Sequence, residues 1–188
     1  MKVVIAMDSF KGSLTSLEAG KAIERGIRNV CDAKIVVFEQ LQGIVATEVG
    51  YANGHVGNPT YEMVCSGTTG YAEALHIQYD ASVITLRFLL SLYYDVIDPT
   101  SYHRQGNDIG EQYRTGIYYV DEADQPVIEA SLQELAKCYE EPIVVEMKPL
   151  TSFCSAEEYH QEYLKKNPGG YCHISREKIQ TVKDRKLG

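Results

Sequence analysis

The chain contains no tryptophan, so no binding wall in it is made of indole. It has no C-x-x-C pair, which argues against a zinc site. Its five cysteines, Cys31, Cys65, Cys138, Cys154 and Cys172, are scattered and odd in number. That suits a reducing cytoplasm better than a disulfide framework. Basic residues are few: 18 Lys plus Arg against 26 Asp plus Glu leave a net charge of −8. Nucleic acid and anionic membranes are therefore poor partners. No run is long and apolar enough to span a bilayer. Asp8 breaks the apolar start MKVVIAMDSF too early for a secretory signal. No G-x-x-x-x-G-K-[ST] phosphate loop is present.

What is present suffices for one sizeable domain: 188 residues with 44% hydrophobic content. Val3–Ala6 reads as a buried strand, Asp8–Ser13 as a turn, and Thr15-x-x-Glu18 as a capping box. Leu14, Leu17, Ala22, Ile23, Ile27 and Val30 follow at helical spacing, and Lys34–Phe38 reads as a second strand. From Gly43 the alternation of Val45, Thr47 and Val49, and later of Leu75, Ile77 and Tyr79, predicts two more strands. A helix is expected over Ser82–Ile97 and another over Ala123–Lys137, with Pro126 tolerated near its start. Gly116–Val120 and Ile143–Met147 read as strands, and Ala156–Lys166 as a helix stopped by Asn167-Pro168-Gly169-Gly170. Ser175–Gly188 is a basic tail that reads as a solvated end. Interleaved strands and helices place the chain in the α/β (α+β) class.

The stretch GYANGHVGNPTYEMVCSGTTG over Gly50–Gly70, continued by Tyr71-Ala72-Glu73-Ala74, resembles the core of the A-type peptide methionine sulfoxide reductases. RQGNDIGEQYR over Arg104–Arg114, SAEEYHQEYL and NPGGYCHI extend the likeness, which spans residues 38–174. It implies a single domain with a mixed, rolled β-sheet flanked by helices. The opening MKVVIAMDSFKGSLTSLEAGKAIERGI instead resembles the N-terminus of bacterial glycerate kinases, and that likeness ends near Val37. The expected organisation is a glycerate-kinase-like β-α-β segment at 1–37, a reductase-like domain at 38–174 and the tail at 175–188. The new first strand is expected to join the sheet at its edge.

The resemblance implies thiol-dependent reduction of methionine sulfoxide to methionine, a repair of oxidative damage. A thiolate attacks the sulfoxide sulfur, an acid protonates the departing oxygen, and a second thiol clears the sulfenic acid. The family places its acid at the glutamate of G-x-A-E, here Glu73. A carboxyl half-buried beside tyrosines is suited to hold a proton near neutral pH. Taken alone, Glu73 reads as a surface residue at a strand edge. Tyr61, Asp108 and Tyr113 complete an oxygen pocket by resemblance, since phenols donate to a polarised S–O oxygen. Taken singly, the tyrosines read as core packing and Asp108 as turn chemistry. The family usually has histidine where this chain has Tyr71. Cys172 stands where many relatives carry a resolving cysteine recycled by thioredoxin, with a small buried hydrophobe as the bland alternative. Cys65 reads as structural, and His160 as a satisfied structural histidine, with support of the site through a hydrogen bond as the alternative. No cofactor is implied beyond an external reductant, thioredoxin or dithiothreitol.

The family's nucleophile motif, G-C-F-W-G, is absent. Counting back from Phe38–Gly43 puts its cysteine near Val30, beside Cys31, whose neighbours share nothing with the motif. Sliding the start instead lays Ser9-Phe10-Lys11-Gly12 over Cys-Phe-Trp-Gly, but a serine cannot form a sulfenic acid, and the glycerate kinase resemblance of the same residues marks this overlay as accidental. The expected outcome is very low or no turnover. The alternatives are a sulfoxide-binding pseudoenzyme and a chimeric product joined near Val37. A phosphotransferase inherited from the first segment is set aside, because no nucleotide-binding domain follows.

Overall fold

The computed structural model describes residues 1–6, 38–39, 41–106, 108–162, 166 and 180. Ser9, Cys31 and Cys172, and the helix expected before Cys31, lie outside the described residues.

Strand β1 (Lys2–Ala6) pairs antiparallel on both sides. The strands β2 (Ile44–Ala52) and β3 (Ala72–Tyr79) form the longest ladder, from Ile44 opposite Tyr79 to Ala52 opposite Ala72. With β6 (Gly116–Tyr119), β7 (Glu146–Pro149) and β8 (Phe153–Ser155) they make a mixed sheet of order β7-β6-β1-β3-β2-β8. Among the described residues, only the β6–β7 pair in this sheet is parallel. The first strand therefore sits inside the sheet, between β3 and β6, and not at its edge as sequence led us to expect. Two sheet edges with matching alternation flank it, so it fills a central slot.

Side-chain alternation divides the sheet's burden. Val49 and Tyr51 of β2, Leu75, Ile77 and Tyr79 of β3, Val3 of β1 and Ile117 of β6 face the main core. Ala52, Ala72, Ala74 and Tyr118 form a smaller cluster on the other face, against Leu150 and Phe153. Small residues are required where β8 crosses β2: a Cβ at Gly50 would lie 2.4 Å from the Cys154 carbonyl oxygen.

Helix α1 (Tyr61–Cys65) is one short turn capped by Thr60, whose hydroxyl accepts from the Met63 amide. Helix α2 (Leu86–Val96) lays Leu86, Leu89, Leu90, Leu92, Tyr93 and Val96 against the core. It starts four residues later than Ser82. Asp80 first binds the amide and hydroxyl of Ser82, and Thr85 then caps the helix by accepting from Phe88. The Tyr93 hydroxyl donates to the Gly116 carbonyl and accepts from its amide, tying α2 to β6. Helix α3 (Gln125–Ala136) follows a 3-10 turn at Glu122–Asp124, with Pro126 in its first turn as expected.

Three further expectations need correction. Phe38 has helical backbone and does not end a strand. The strand expected from Ile143 begins at Glu146, because Val144 spends its amide on the Pro99 carbonyl. Over Ala156–Gln161 only a 3-10 turn, Glu158–His160, replaces the expected helix. There the Gln161 side chain is bound across to both backbone groups of Val49 on β2. No helix among the described residues is long and apolar enough to cross a membrane.

Candidate active site

Glu73 is the second residue of β3, and alternation turns it to the same face as Leu75 and Ile77. It is 0% exposed, buried completely and not by half, so the reading as a surface glutamate is excluded. Its direct partner across the ladder is Tyr51. Helix α1 brings in Tyr61, which is 6% exposed. Two short strands, β4 (Arg104–Gln105) and β5 (Asp108–Ile109), and the 3-10 turn Glu111–Tyr113 bring in Asp108 and Tyr113. The hairpin is pinned by Gln105, whose amide group donates to the Asp98 carbonyl and accepts from the Asp98 amide.

These groups lie within electrostatic reach of one another. Burial pushes the Tyr61 hydroxyl far above the ordinary phenol range, with the nearby Glu73 carboxyl the next cause. The same two causes, in the same order, act on Tyr113, with Asp108 adding to them. Tyr51 is raised first by burial, then by Glu157, with Glu73 contributing. All three phenols therefore keep their protons and act as hydrogen-bond donors. Of the five site residues named from sequence, the structure brings Glu73, Tyr61, Tyr113 and Asp108 together; Cys172 is outside the described residues.

Two features of this cluster were not anticipated. Cys65 follows Tyr61 by one helical turn, and its half-buried thiol hydrogen-bonds the Tyr61 hydroxyl and acts on Tyr113. Glu157 is the second. One of its oxygens accepts from the Tyr51 hydroxyl at 2.8 Å and the other from the Tyr61 amide at 2.9 Å. His160 lies 3.6 Å from the same carboxylate, and its ring centroid is 5.1 Å from that of Tyr61. The motif SAEEYHQEYL was the available signal, but which of its acids turns inward depends on the β2–β8 register.

Tyr71, in the place of the family's histidine, donates to the Val56 carbonyl at 3.0 Å and lies 3.5 Å from the Cys154 sulfur. Its ring rests on Gly54, where a Cβ would come within 2.0 Å of the ring. Arg114 clamps the other side: its guanidinium donates to Glu146 at 2.8 Å, to the Glu111 carbonyl at 3.0 Å and to the Gly70 carbonyl at 2.9 Å. Glu146 also accepts from Tyr118 and Lys148. A polar cleft of about 520 Å³ borders this clamp, lined by Gly70, His103, Glu111, Thr115 and Glu146, and Glu73 does not line it.

The two carboxylates behind the site predict acid sensitivity. Burial works against ionised Glu157, but the Tyr61 amide, the Tyr51 hydroxyl and His160 outweigh it and hold it below the usual value of 4.5. Burial is likewise outweighed at Glu146 by Lys148, Tyr118 and Arg114. Both groups thus bind protons more tightly in the unfolded chain. Their stabilisation is fully present above about pH 4.5 and is lost as pH falls through their lower folded values. Urea unfolding should show a midpoint that drops steadily below that pH, and a flat midpoint there would contradict the assignment.

Among proteins of known kind, the family model for peptide methionine sulfoxide reductase matches residues 34–187. The model for the glycerate kinase family matches residues 3–46. Peptide methionine sulfoxide reductase MsrA of Lachnoclostridium phytofermentans is 57% identical over 147 residues, 78% of this chain and 89% of that protein. MsrA of Clostridium botulinum (strain Okra / Type B1) is 59% identical over 137 residues, 73% of this chain and 87% of that protein. Reduced Mxr1 of Saccharomyces cerevisiae superposes with a TM-score of 0.75 at 31% identity, covering 91% of this chain and 87% of its own. Mxr1 in complex with Trx2 matches with a TM-score of 0.53 at 21% identity, covering 87% of this chain and 84% of its own.

Proposed function

The chain belongs to the peptide methionine sulfoxide reductase family, and on that premise we propose that its Glu73–Tyr61–Tyr113–Asp108 hollow grips the sulfoxide oxygen of methionine S-sulfoxide. What supports this is the mutual electrostatic influence of four polar side chains from β3, α1, β5 and the turn at Glu111–Tyr113. Three of them lie on separate stretches of chain, and packing economy alone gives no reason to bury them together. Tyr61 and Tyr113, held protonated, donate to the oxygen, and Glu73 supplies the proton as the S–O bond breaks. Tyr51 is not among the donors, because its hydroxyl is committed to Glu157.

The same reading holds turnover very low. Ala6, the last described residue of β1, stands opposite Ala74, one register step from Glu73. The residues that follow it in sequence, Met7-Asp8-Ser9-Phe10-Lys11-Gly12, include no cysteine. A serine hydroxyl is not ionised near neutral pH, and oxygen cannot take up the sulfoxide oxygen as sulfur does. Residues 1–37 act here as a replacement segment for the body at 38–174, with 175–188 as a tail. Cys172 is the recycling thiol, thioredoxin the physiological reductant with dithiothreitol as its substitute, and the cytoplasm the compartment.

The experiment pairs binding with turnover. Methionine S-sulfoxide peptide is titrated into labelled protein by NMR, and thioether formation is followed with dithiothreitol in the parent chain and in Cys31→Ser, Cys65→Ser and Cys172→Ser. Binding that shifts resonances around Glu73, with no thioether above background, supports the reading. Absence of binding sinks the oxygen-gripping pocket. Turnover that disappears only in Cys31→Ser or only in Cys65→Ser assigns that thiol as nucleophile and overturns the low-activity part.

A further inference from the structure

We propose that Glu157 is a positioning residue for the oxygen grip, acting through Tyr51 and Tyr61 on the space in front of Glu73. This rests on the binding reading above and extends it to a residue that does not touch the ligand. Glu157 uses its two oxygens on different elements: one takes the Tyr51 hydroxyl of β2 and the other the Tyr61 amide at the start of α1. Tyr51 stands directly across the ladder from Glu73, and Tyr61 is one of the phenols influenced by the Glu73 carboxyl. A single carboxylate thus fixes the distance between the strand that carries the acid's neighbour and the helix that carries a donor.

The segment bearing Glu157 is itself held firmly. Cys154 pairs with Tyr51 in the β2–β8 ladder, the Ala156 amide donates to the Val49 carbonyl, and Gln161 binds both backbone groups of Val49. The carboxylate is therefore anchored from behind, and its two bonds constrain the tyrosines in front of it. The Tyr61 amide is also one of the helix's first N–H groups, which has no partner within α1. Losing Glu157 removes that partner at the residue whose side chain approaches Glu73.

A glutamine at this position has nearly the same shape but only one accepting oxygen, so it can accept from only one of the two groups and must reverse or lose the other bond. Glu157→Gln is expected to weaken binding of a methionine S-sulfoxide peptide about tenfold while leaving the matching thioether peptide within about twofold, because only the sulfoxide uses the donors. Glu157→Asp keeps both oxygens on a shorter stem and should recover part of the sulfoxide affinity. Tyr51→Phe, which keeps the Tyr61 bond, should cost about threefold on sulfoxide alone. It serves as the test if Glu157→Gln does not fold. Equal losses for both peptides in the variant used would reduce Glu157 to a structural role and overturn the proposal, as would unchanged sulfoxide affinity. Failure of the parent chain to bind sulfoxide would instead overturn the pocket itself, and the proposal with it.

Discussion

A chain lacking residues 1–6 is expected to lose its cooperative unfolding transition, although those residues fall outside the body that resembles a reductase. β1 is paired over five positions with β3 and four with β6, and the Tyr79 amide reaches back to the Met1 carbonyl. Each ladder bond contributes about 1 kcal/mol net. Burying Val3, which is 1% exposed, adds about 2 kcal/mol. The sum is on the order of the whole stability of an ordinary domain, about 5–15 kcal/mol. Removal also opens two strand edges in the middle of the sheet, which invites aggregation. Val4→Pro is the gentler form, because a proline in a strand paired on both sides deletes a ladder bond and clashes. The measurement is guanidinium unfolding followed by far-UV circular dichroism. A truncated chain that melts cooperatively at nearly the parent midpoint would show that β1 is an ornament, and that the border near residue 37 divides two independent pieces.

That slot could not be read from sequence. Val3–Ala6 was legible as a strand because an apolar run of that length has few other uses. Its neighbours were not, since register depends on β3 and β6, far along the chain. The strands β2 and β3 were legible from alternation, which survives wherever one face meets the core. Boundaries failed where side chains competed with the backbone. Asp80 and Thr85 delay α2, and Gln161 binds to Val49 where a helix was expected. Ile143-Val144-Val145 is apolar enough to pass for a strand, yet Val144 docks on the Pro99 carbonyl. At the site, periodicity offered nothing for Glu73: an acid inside an alternating strand points to whichever face the fold assigns. Only the resemblance picked it out with Tyr61, Asp108 and Tyr113. Glu157 stayed unread in its role, because nothing local distinguishes it from Glu158, which is exposed and bound to Lys166.

Replacing Glu73 by leucine should separate stability from function in opposite directions. A carboxyl at 0% exposure, on the face of β3 that holds Leu75 and Ile77, is costly to bury. Exchanging the carboxyl for an apolar group of similar volume removes that desolvation cost. Glu73→Leu is therefore expected to melt at or above the parent temperature. The same change deletes a donor in front of the sulfoxide oxygen and leaves that oxygen facing hydrocarbon. An unmet buried hydrogen bond costs about 1–3 kcal/mol, roughly a tenfold to hundredfold loss of affinity. Glu73→Gln keeps an N–H donor at nearly the same place, and its affinity should stay within about tenfold of the parent. A residue kept for packing would give the reverse pattern, with stability lost in Glu73→Leu and sulfoxide affinity following it down. A residue kept for chemistry weakens the fold and strengthens the grip, which is the usual signature of a functional site. Thermal melts and NMR titrations on the three proteins decide between them. A destabilised Glu73→Leu that still binds sulfoxide like the parent would remove Glu73 from the site.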